Sequence, residues 1–162
     1  MMIRVGQGFD VHRFRAGRPL YLGGYEVPSA VGLDGHSDAD VVLHAVTDAV
    51  LGAVGEGDIG LHFPPSDPRW RDADSTVFLR HALELAARKD LALSNCDVTV
   101  VGERPKINPH RDAIRDALAE ALAIPSDCVN VKATTTEGLG WTGRGEGLAC
   151  LAIVLMTCRE TE

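Results

Sequence analysis

Two hydrophobic rhythms run along this chain. Residues 5–14 interleave β-branched and aromatic side chains with Gly6, Gly8 and polar groups, which predicts a strand. Val41, Val42, Ala45, Val46, Ala49 and Val50 then recur at helical spacing towards Gly52. Ser37 and Asp38, ahead of them, are good N-cap residues, so a helix is predicted to about residue 53. Leu20-Tyr21-Leu22 and Tyr25-Glu26-Val27 flank Gly23-Gly24, a hairpin signal, and residues 28–35 read as a connection. Residues 55–74 are long and irregular, yet hold Ile59, Phe63 and Trp70, which argues against plain disorder. A second helix starts at Asp74-Ser75, carries Val77, Phe78, Leu79, Ala82, Leu83, Leu85 and Ala86 on its apolar side, and has Arg88-Lys89 in its last turn. Residues 95–101 alternate Cys96, Val98 and Val100 with Asp97 and Thr99 as a strand. Pro109 is placed to open a third helix over residues 111–122. Residues 129–137 form a strand with a polar end, residues 148–157 a last strand, and residues 159–162 are expected to fray.

This order predicts an α+β fold, with a single mixed or antiparallel sheet and its helices packed on one face. The other face is largely apolar or small, which predicts a homo-oligomer that packs its sheets together. At 162 residues one domain, 1–162, is expected, and 45% hydrophobic residues suffice for its core. The net charge of -7 and the lack of a basic stripe exclude an ordinary nucleic-acid binder, but not a nucleotide held by backbone N–H groups and a cation. Cys96, Cys128, Cys150 and Cys158 make no C-x-x-C, so they are expected to be reduced, mostly core, thiols of a cytoplasmic protein. No signal peptide is expected, and no apolar stretch approaches the ~18 residues of a membrane span.

Chemistry concentrates where the first strand faces the first helix. Side chains two apart on a strand share a face, so Asp10 and His12 project together. On the helix, Asp40, His44 and Asp48 are four apart and form one polar stripe. A carboxylate and two imidazoles make a zinc site with an open position, with His44 as the third ligand and Asp48 or Asp40 holding its ring from behind. Elsewhere, Asp58-Ile59-Gly60 suits a hydroxylated ligand or a self-packed loop, and His62 and His81 have no evident role. Lys106, before the Pro-led helix, suits a nucleotide or a plain surface loop. Thr134-Thr135-Thr136-Glu137 offers hydroxyls to phosphate and a carboxylate to Mg²⁺, or is a Thr-rich edge. Arg144 can reach an anion or pair with Glu146.

Gly8-Phe9-Asp10-Val11-His12, Gly35-His36-Ser37-Asp38-Ala39-Asp40 with His44, Gly57-Asp58-Ile59-Gly60, Phe63-Pro64 with Asp67, Pro105-Lys106, Lys132-Ala133-Thr134-Thr135-Thr136-Glu137 and Gly143-Arg144-Gly145-Glu146-Gly147 occur in order. Together they resemble the 2-C-methyl-D-erythritol 2,4-cyclodiphosphate synthase family of isoprenoid precursor biosynthesis, over essentially the whole chain. The resemblance implies a lyase that releases CMP from a cytidine diphosphate substrate, in a homotrimer with sites between subunits. It implies zinc at Asp10, His12 and His44, and Mg²⁺ or Mn²⁺ at Glu137. It implies that His36 and Ser37 grip the substrate near its 2-phosphate, and that Asp58 and Gly60 contact the methylerythritol hydroxyls. Lys106, Ala133 and Thr134 match the cytidine pocket, Thr135 a phosphate contact, and His36 and Thr135 the groups that stabilise the transition state. Arg144 and Glu146 match residues facing a central channel. Pro65 stands where some members carry a carboxylate, which moves that contact to Asp67, and Trp141 replaces a channel Phe. The alternatives are a zinc-dependent hydrolase of a small phosphorylated substrate and a non-catalytic isoprenoid-phosphate carrier. A fused cytidylyltransferase domain is not expected at this length.

Overall fold

The computed structural model describes residues 3–158, so the fraying expected of residues 159–162 lies outside the described residues. Seven strands are found there: β1 (Ile3–Ala16), β2 (Leu20–Leu22), β3 (Tyr25–Val27), β4 (Val31–Leu33), β5 (Leu91–Val101), β6 (Val129–Thr134) and β7 (Gly147–Cys158). The helices are α1 (Val41–Val54), α2 (Ile59–His62), α3 (Thr76–Ala87), α4 (Arg111–Leu122) and α5 (Gly140–Gly143). Five strands form a mixed sheet in the order β4-β1-β7-β5-β6, and β2 and β3 form the expected hairpin. Neighbours in the sheet are antiparallel except β5 and β6, which are parallel and joined through α4. The α+β expectation therefore holds, with a mixed sheet.

β1 is longer than its hydrophobic core suggests, and its alternation organises the molecule. Gly6 and Gly8 are buried under α1, while Val5, Phe9 and Val11 on the opposite face are exposed. A Cβ on Gly8 would stand 1.9 Å from the carbonyl oxygen of Ala45, and one on Gly6 1.8 Å from that of Ala49. The helix backbone thus lies directly on the strand, with no side chain between them. Apart from His44, Asp48 and Gly52, every residue of α1 is buried, as expected of a helix that is apolar nearly all round. It packs on β1, β7 and α3, in a core that includes Cys150, Ala152 and Val154 of β7 and Leu79 and Ala82 of α3.

The N-cap of α1 is Asp40, later than the Ser37-Asp38 start expected from cap propensity. Ala39 adopts φ 60°, and beyond that kink Asp40 takes the capping position. Its buried carboxylate accepts the N–H groups of Val42 and Leu43 at 3.0 and 2.9 Å, and of Gly23 and Gly24 in the hairpin turn at 2.9 and 2.7 Å. Burial pushes its pKa up against those four donors. One carboxylate so caps α1 and ties the β2–β3 hairpin to it.

Four other elements depart from the sequence pattern. β4 lies in the residues expected to be a connection, pairing Phe14 with Leu33; three residues are too few to show alternation. β5 starts at Leu91, four residues before the alternation that predicts it, because a register shift between Leu93 and Asn95 interrupts its period and hides the first residues from the pattern. β6 stops at Thr134, and Glu137, at φ 54°, is left-handed and cannot extend it. Residues 55–74 contain α2 and a turn at Pro68–Trp70, capped by Asp58 and Asp67. Phe63 packs on Trp70 and on Phe78 of α3 with ring centroids at 5.0 and 4.6 Å, so an aromatic cluster fastens this segment to α3. Among the described residues no helix is long and apolar enough to cross a membrane.

Gly8→Ala should force α1 off β1 and cost about 3 kcal/mol, the upper range for overpacking, in denaturant unfolding. Gly52→Ala is the internal control: its Cβ would meet only the Gln7 carbonyl oxygen, at 3.8 Å. That variant should gain about 0.5–1 kcal/mol from helix propensity.

Candidate metal centre and adjoining cavities

Past Gly8, the inward face of β1 continues with Asp10 and His12, while the N-terminal end of α1 presents His44. Asp10 Oδ2 lies 2.9 Å from His12 Nε2 and 3.1 Å from His44 Nδ1, and the two imidazole nitrogens are 3.1 Å apart. Three ligand atoms at the corners of a small triangle match one face of a tetrahedral zinc site, whose donors at about 2.0–2.1 Å from the ion sit ~3.3 Å from one another. Among the described residues this is the one grouping of three or more potential ligand side chains.

The hydrogen bonds behind the triangle test whether a cation fits. His12 Nδ1 is 2.7 Å from the Asp34 carbonyl oxygen, which only accepts, so Nδ1 carries the proton of a neutral ring and Nε2 is a bare lone pair. That lone pair faces a carboxylate oxygen and a second imidazole nitrogen. Such a cluster of acceptors is repulsive until a proton or a metal ion enters it. The local electrostatics agree. Burial alone would raise the Asp10 pKa, but hydrogen bonds and charge from His12 and His44 hold it well below the usual carboxylate range. Burial disfavours protonated His12, yet the Asp10 carboxylate and the Asp34 carbonyl raise its pKa overall.

The expectation that Asp48 or Asp40 holds His44 from behind is corrected. Asp48 Oδ1 accepts the Ile59 N–H at 2.7 Å, fastening α2 to α1, and Asp40 is committed to capping. His44 Nε2 instead lies 2.8 Å from Ser75 Oγ and 3.1 Å from Ser37 Oγ. Sequence reasoning read Ser75 as half of a capping pair. No sequence signal marked it: only the structure shows that Asp74 accepts the Thr76 N–H at 2.8 Å and that Ser75 makes no capping bond.

The other expected site residues fall into groups. His36, Ser37 and Gly60 line a cavity of roughly 260 Å³ with His12 and His44, its far wall built by Phe63, Trp70 and Phe78. Pro65 lines the same cavity, whereas the Asp67 carboxylate is taken up by Arg69 at 2.6 Å. Asp58 caps α2, accepting the Leu61 N–H at 2.9 Å. Lys106, Ala133, Thr134 and Thr135 line a second cavity of roughly 200 Å³ at the ends of β5 and β6. β7 and β5 separate the β1 residues from β6 in the sheet order. Glu137 is exposed and joins no such grouping of ligand side chains among the described residues. Arg144 pairs with Glu146 at 2.6 Å, and Trp141 and Glu146 line an open cavity with His12. His62 is held by the Glu56 carbonyl at 2.7 Å and touches His81 at 3.2 Å, so neither is directed at the triangle. Cys96 and Cys150 are buried, Cys128 is half-buried and Cys158 exposed, all as free thiols, and burial pushes the Cys96 pKa up to about 12.

A model of the YgbB family matches residues 3–157. The chain is 60% identical over 151 residues to the bifunctional enzyme IspD/IspF of Caulobacter vibrioides, covering 93% of this chain but 40% of that one. It is 56% identical over 154 residues to the 2-C-methyl-D-erythritol 2,4-cyclodiphosphate synthase of Geobacter sulfurreducens, covering 95% of this chain and 98% of the relative. A solved 2C-methyl-D-erythritol-2,4-cyclodiphosphate synthase in a CDP-bound form superposes with a TM-score of 0.87 at 44% identity, covering 95% of this chain and 100% of that one. The chain thus spans about 40% of the length of the bifunctional relatives and nearly all of the monofunctional one.

Protons compete with a metal for imidazole nitrogens, so zinc affinity should fall as pH drops through the raised His12 pKa, and be fullest above it. Asp10→Asn should weaken zinc binding by at least about 10-fold and move that pH dependence to lower pH, because the carboxylate that raises His12 is gone; isothermal titration across pH checks both.

Proposed function

The chain belongs to the YgbB family, and on that premise we propose that it is a 2-C-methyl-D-erythritol 2,4-cyclodiphosphate synthase acting in isoprenoid precursor biosynthesis. It converts 4-diphosphocytidyl-2-C-methyl-D-erythritol 2-phosphate to the cyclic diphosphate and CMP. An oxygen of the 2-phosphate bonds to the β-phosphorus, and the bond between that phosphorus and the CMP oxygen breaks. The attacking phosphate is already an anion, so catalysis is mostly positioning and charge stabilisation. The observation that carries the reading is the Asp10–His12–His44 triangle opening onto a cavity walled by His36, Ser37 and Gly60.

Each group then has a task. Asp10, His12 and His44 hold zinc, and Glu137 holds Mg²⁺ or Mn²⁺; bound there, such ions supply positive charge to the phosphates. His36 and Ser37 grip the 2-phosphate, and Asp58, Gly60 and Asp67 bind the methylerythritol side. Lys106, Ala133 and Thr134 cradle cytidine, and Thr135 and His36 stabilise the transition state. A CDP-bound neighbour of 44% identity supports the nucleotide assignment.

Two features support a homotrimer. Phe9 and Ile153 on the outer sheet face are both 51% exposed, beside Val5, Val11 and Leu151, a patch that needs cover. The two cavities are also held apart by intervening strands, so a site shared between subunits brings the nucleotide pocket of one to the metal triangle of the next. We place the whole chain in one catalytic domain, in the cytoplasm. Arg144 then faces the channel of that trimer. The monofunctional relative above is a named synthase, which favours cyclisation over the hydrolase alternative.

Zinc- and Mg²⁺-loaded protein given the cytidyl substrate should release CMP and cyclic diphosphate in equal amounts. CMP with a linear phosphorylated product would mean hydrolysis, and no CMP from metal-loaded protein would refute the assignment.

A further inference from the structure

Ser75 is buried at the cap position of α3, yet its hydroxyl caps nothing. It touches Asp38 Oδ1 on one side and lies 2.8 Å from His44 Nε2 on the other. Asp38 is held in place by the N–H of Ser75 to Oδ2 at 3.0 Å and the N–H of Asp40 to Oδ1 at 3.1 Å. A carboxylate only accepts, so the single Ser75 hydroxyl proton points at Asp38. The Ser75 oxygen is left as an acceptor, and its neighbour, His44 Nε2, must carry the proton. His44 Nδ1 is then the bare nitrogen, and it is the one facing Asp10 and His12. Ser37 Oγ is the poorer partner, farther from Nε2 at 3.1 Å and already accepting the Ala39 N–H at 3.2 Å.

We infer that Ser75 and Asp38 form a relay that fixes His44 as its Nε2–H tautomer and so makes Nδ1 the metal-binding nitrogen. Both are positioning residues. The relay does for His44 what the Asp34 carbonyl does for His12, with the Ser75 hydroxyl between the ring and the carboxylate. It links metal affinity to the segment before α3, since Asp38 also donates its N–H to the Ala73 carbonyl at 3.0 Å. This inference rests on the metal-binding reading of the triangle.

Two measurements test it. Imidazole ¹⁵N shifts of the metal-free wild-type protein should show His44 with a protonated Nε2 and an unprotonated Nδ1; the reverse pattern would overturn the relay without any variant. Ser75→Ala should mix the two His44 tautomers while leaving His12 unchanged, and weaken zinc binding by chelator competition about 10–100-fold, the range for lost partners of ligand histidines. Wild-type zinc binding with Ser75→Ala within twofold would overturn the relay alone. No zinc binding by the wild-type protein would overturn the metal reading, and the relay with it.

Discussion

The contact on which the rest of the molecule depends is that of α1 with β1, backbone on backbone. Two absent side chains, at Gly6 and Gly8, let the carbonyls of Ala45 and Ala49 settle where Cβ atoms would otherwise stand. Packing this close leaves little freedom for the helix to slide or roll on the strand. The same strand face that carries the glycines carries Asp10 and His12, and the same helix carries His44 one residue before Ala45. Whatever fixes the packing therefore fixes the distances within the triangle. Alternating glycine and ligand positions on one strand is an economical way to make a rigid site from a single element pair.

The electrostatics of this region follow from that closeness. Asp40 and Asp10 are both drawn inwards, and they are satisfied differently. Asp40 is surrounded by four backbone N–H donors and serves structure, joining a helix end to a hairpin turn. Asp10 meets two imidazole nitrogens and no backbone donor in its hydrogen-bond shell, so its charge is balanced only when those rings are protonated or a cation joins them. The first arrangement is complete in the protein alone. The second calls for a partner, and this contrast marks Asp10 rather than Asp40 as a functional carboxylate.

Much of this was legible in the residue pattern. Period two placed Asp10 and His12 on one face, period 3.6 placed His44 on a helix that had to pack somewhere, and Gly23-Gly24 announced its hairpin. The features that were missed share a cause: they depend on contacts distant in sequence. Nothing local tells that Asp48 is taken by the Ile59 amide, or that Ser75, 31 residues beyond His44, lies against its ring. Ser37 and Asp38 are the capping types that open the predicted helix, and only the left-handed turn at Ala39 moves the cap to Asp40. β4 is too short for any periodicity, and β6 stops at Thr134 although the threonines and Glu137 after it read as its continuation.

X-ray absorption at the zinc K-edge of the metal-loaded protein tests the central claim most directly. The account predicts only nitrogen and oxygen neighbours at about 2.0–2.1 Å, with the outer-shell scattering of two imidazole rings. A sulfur neighbour at about 2.3 Å, drawn from one of the free cysteines, or the signature of a single imidazole, would contradict it.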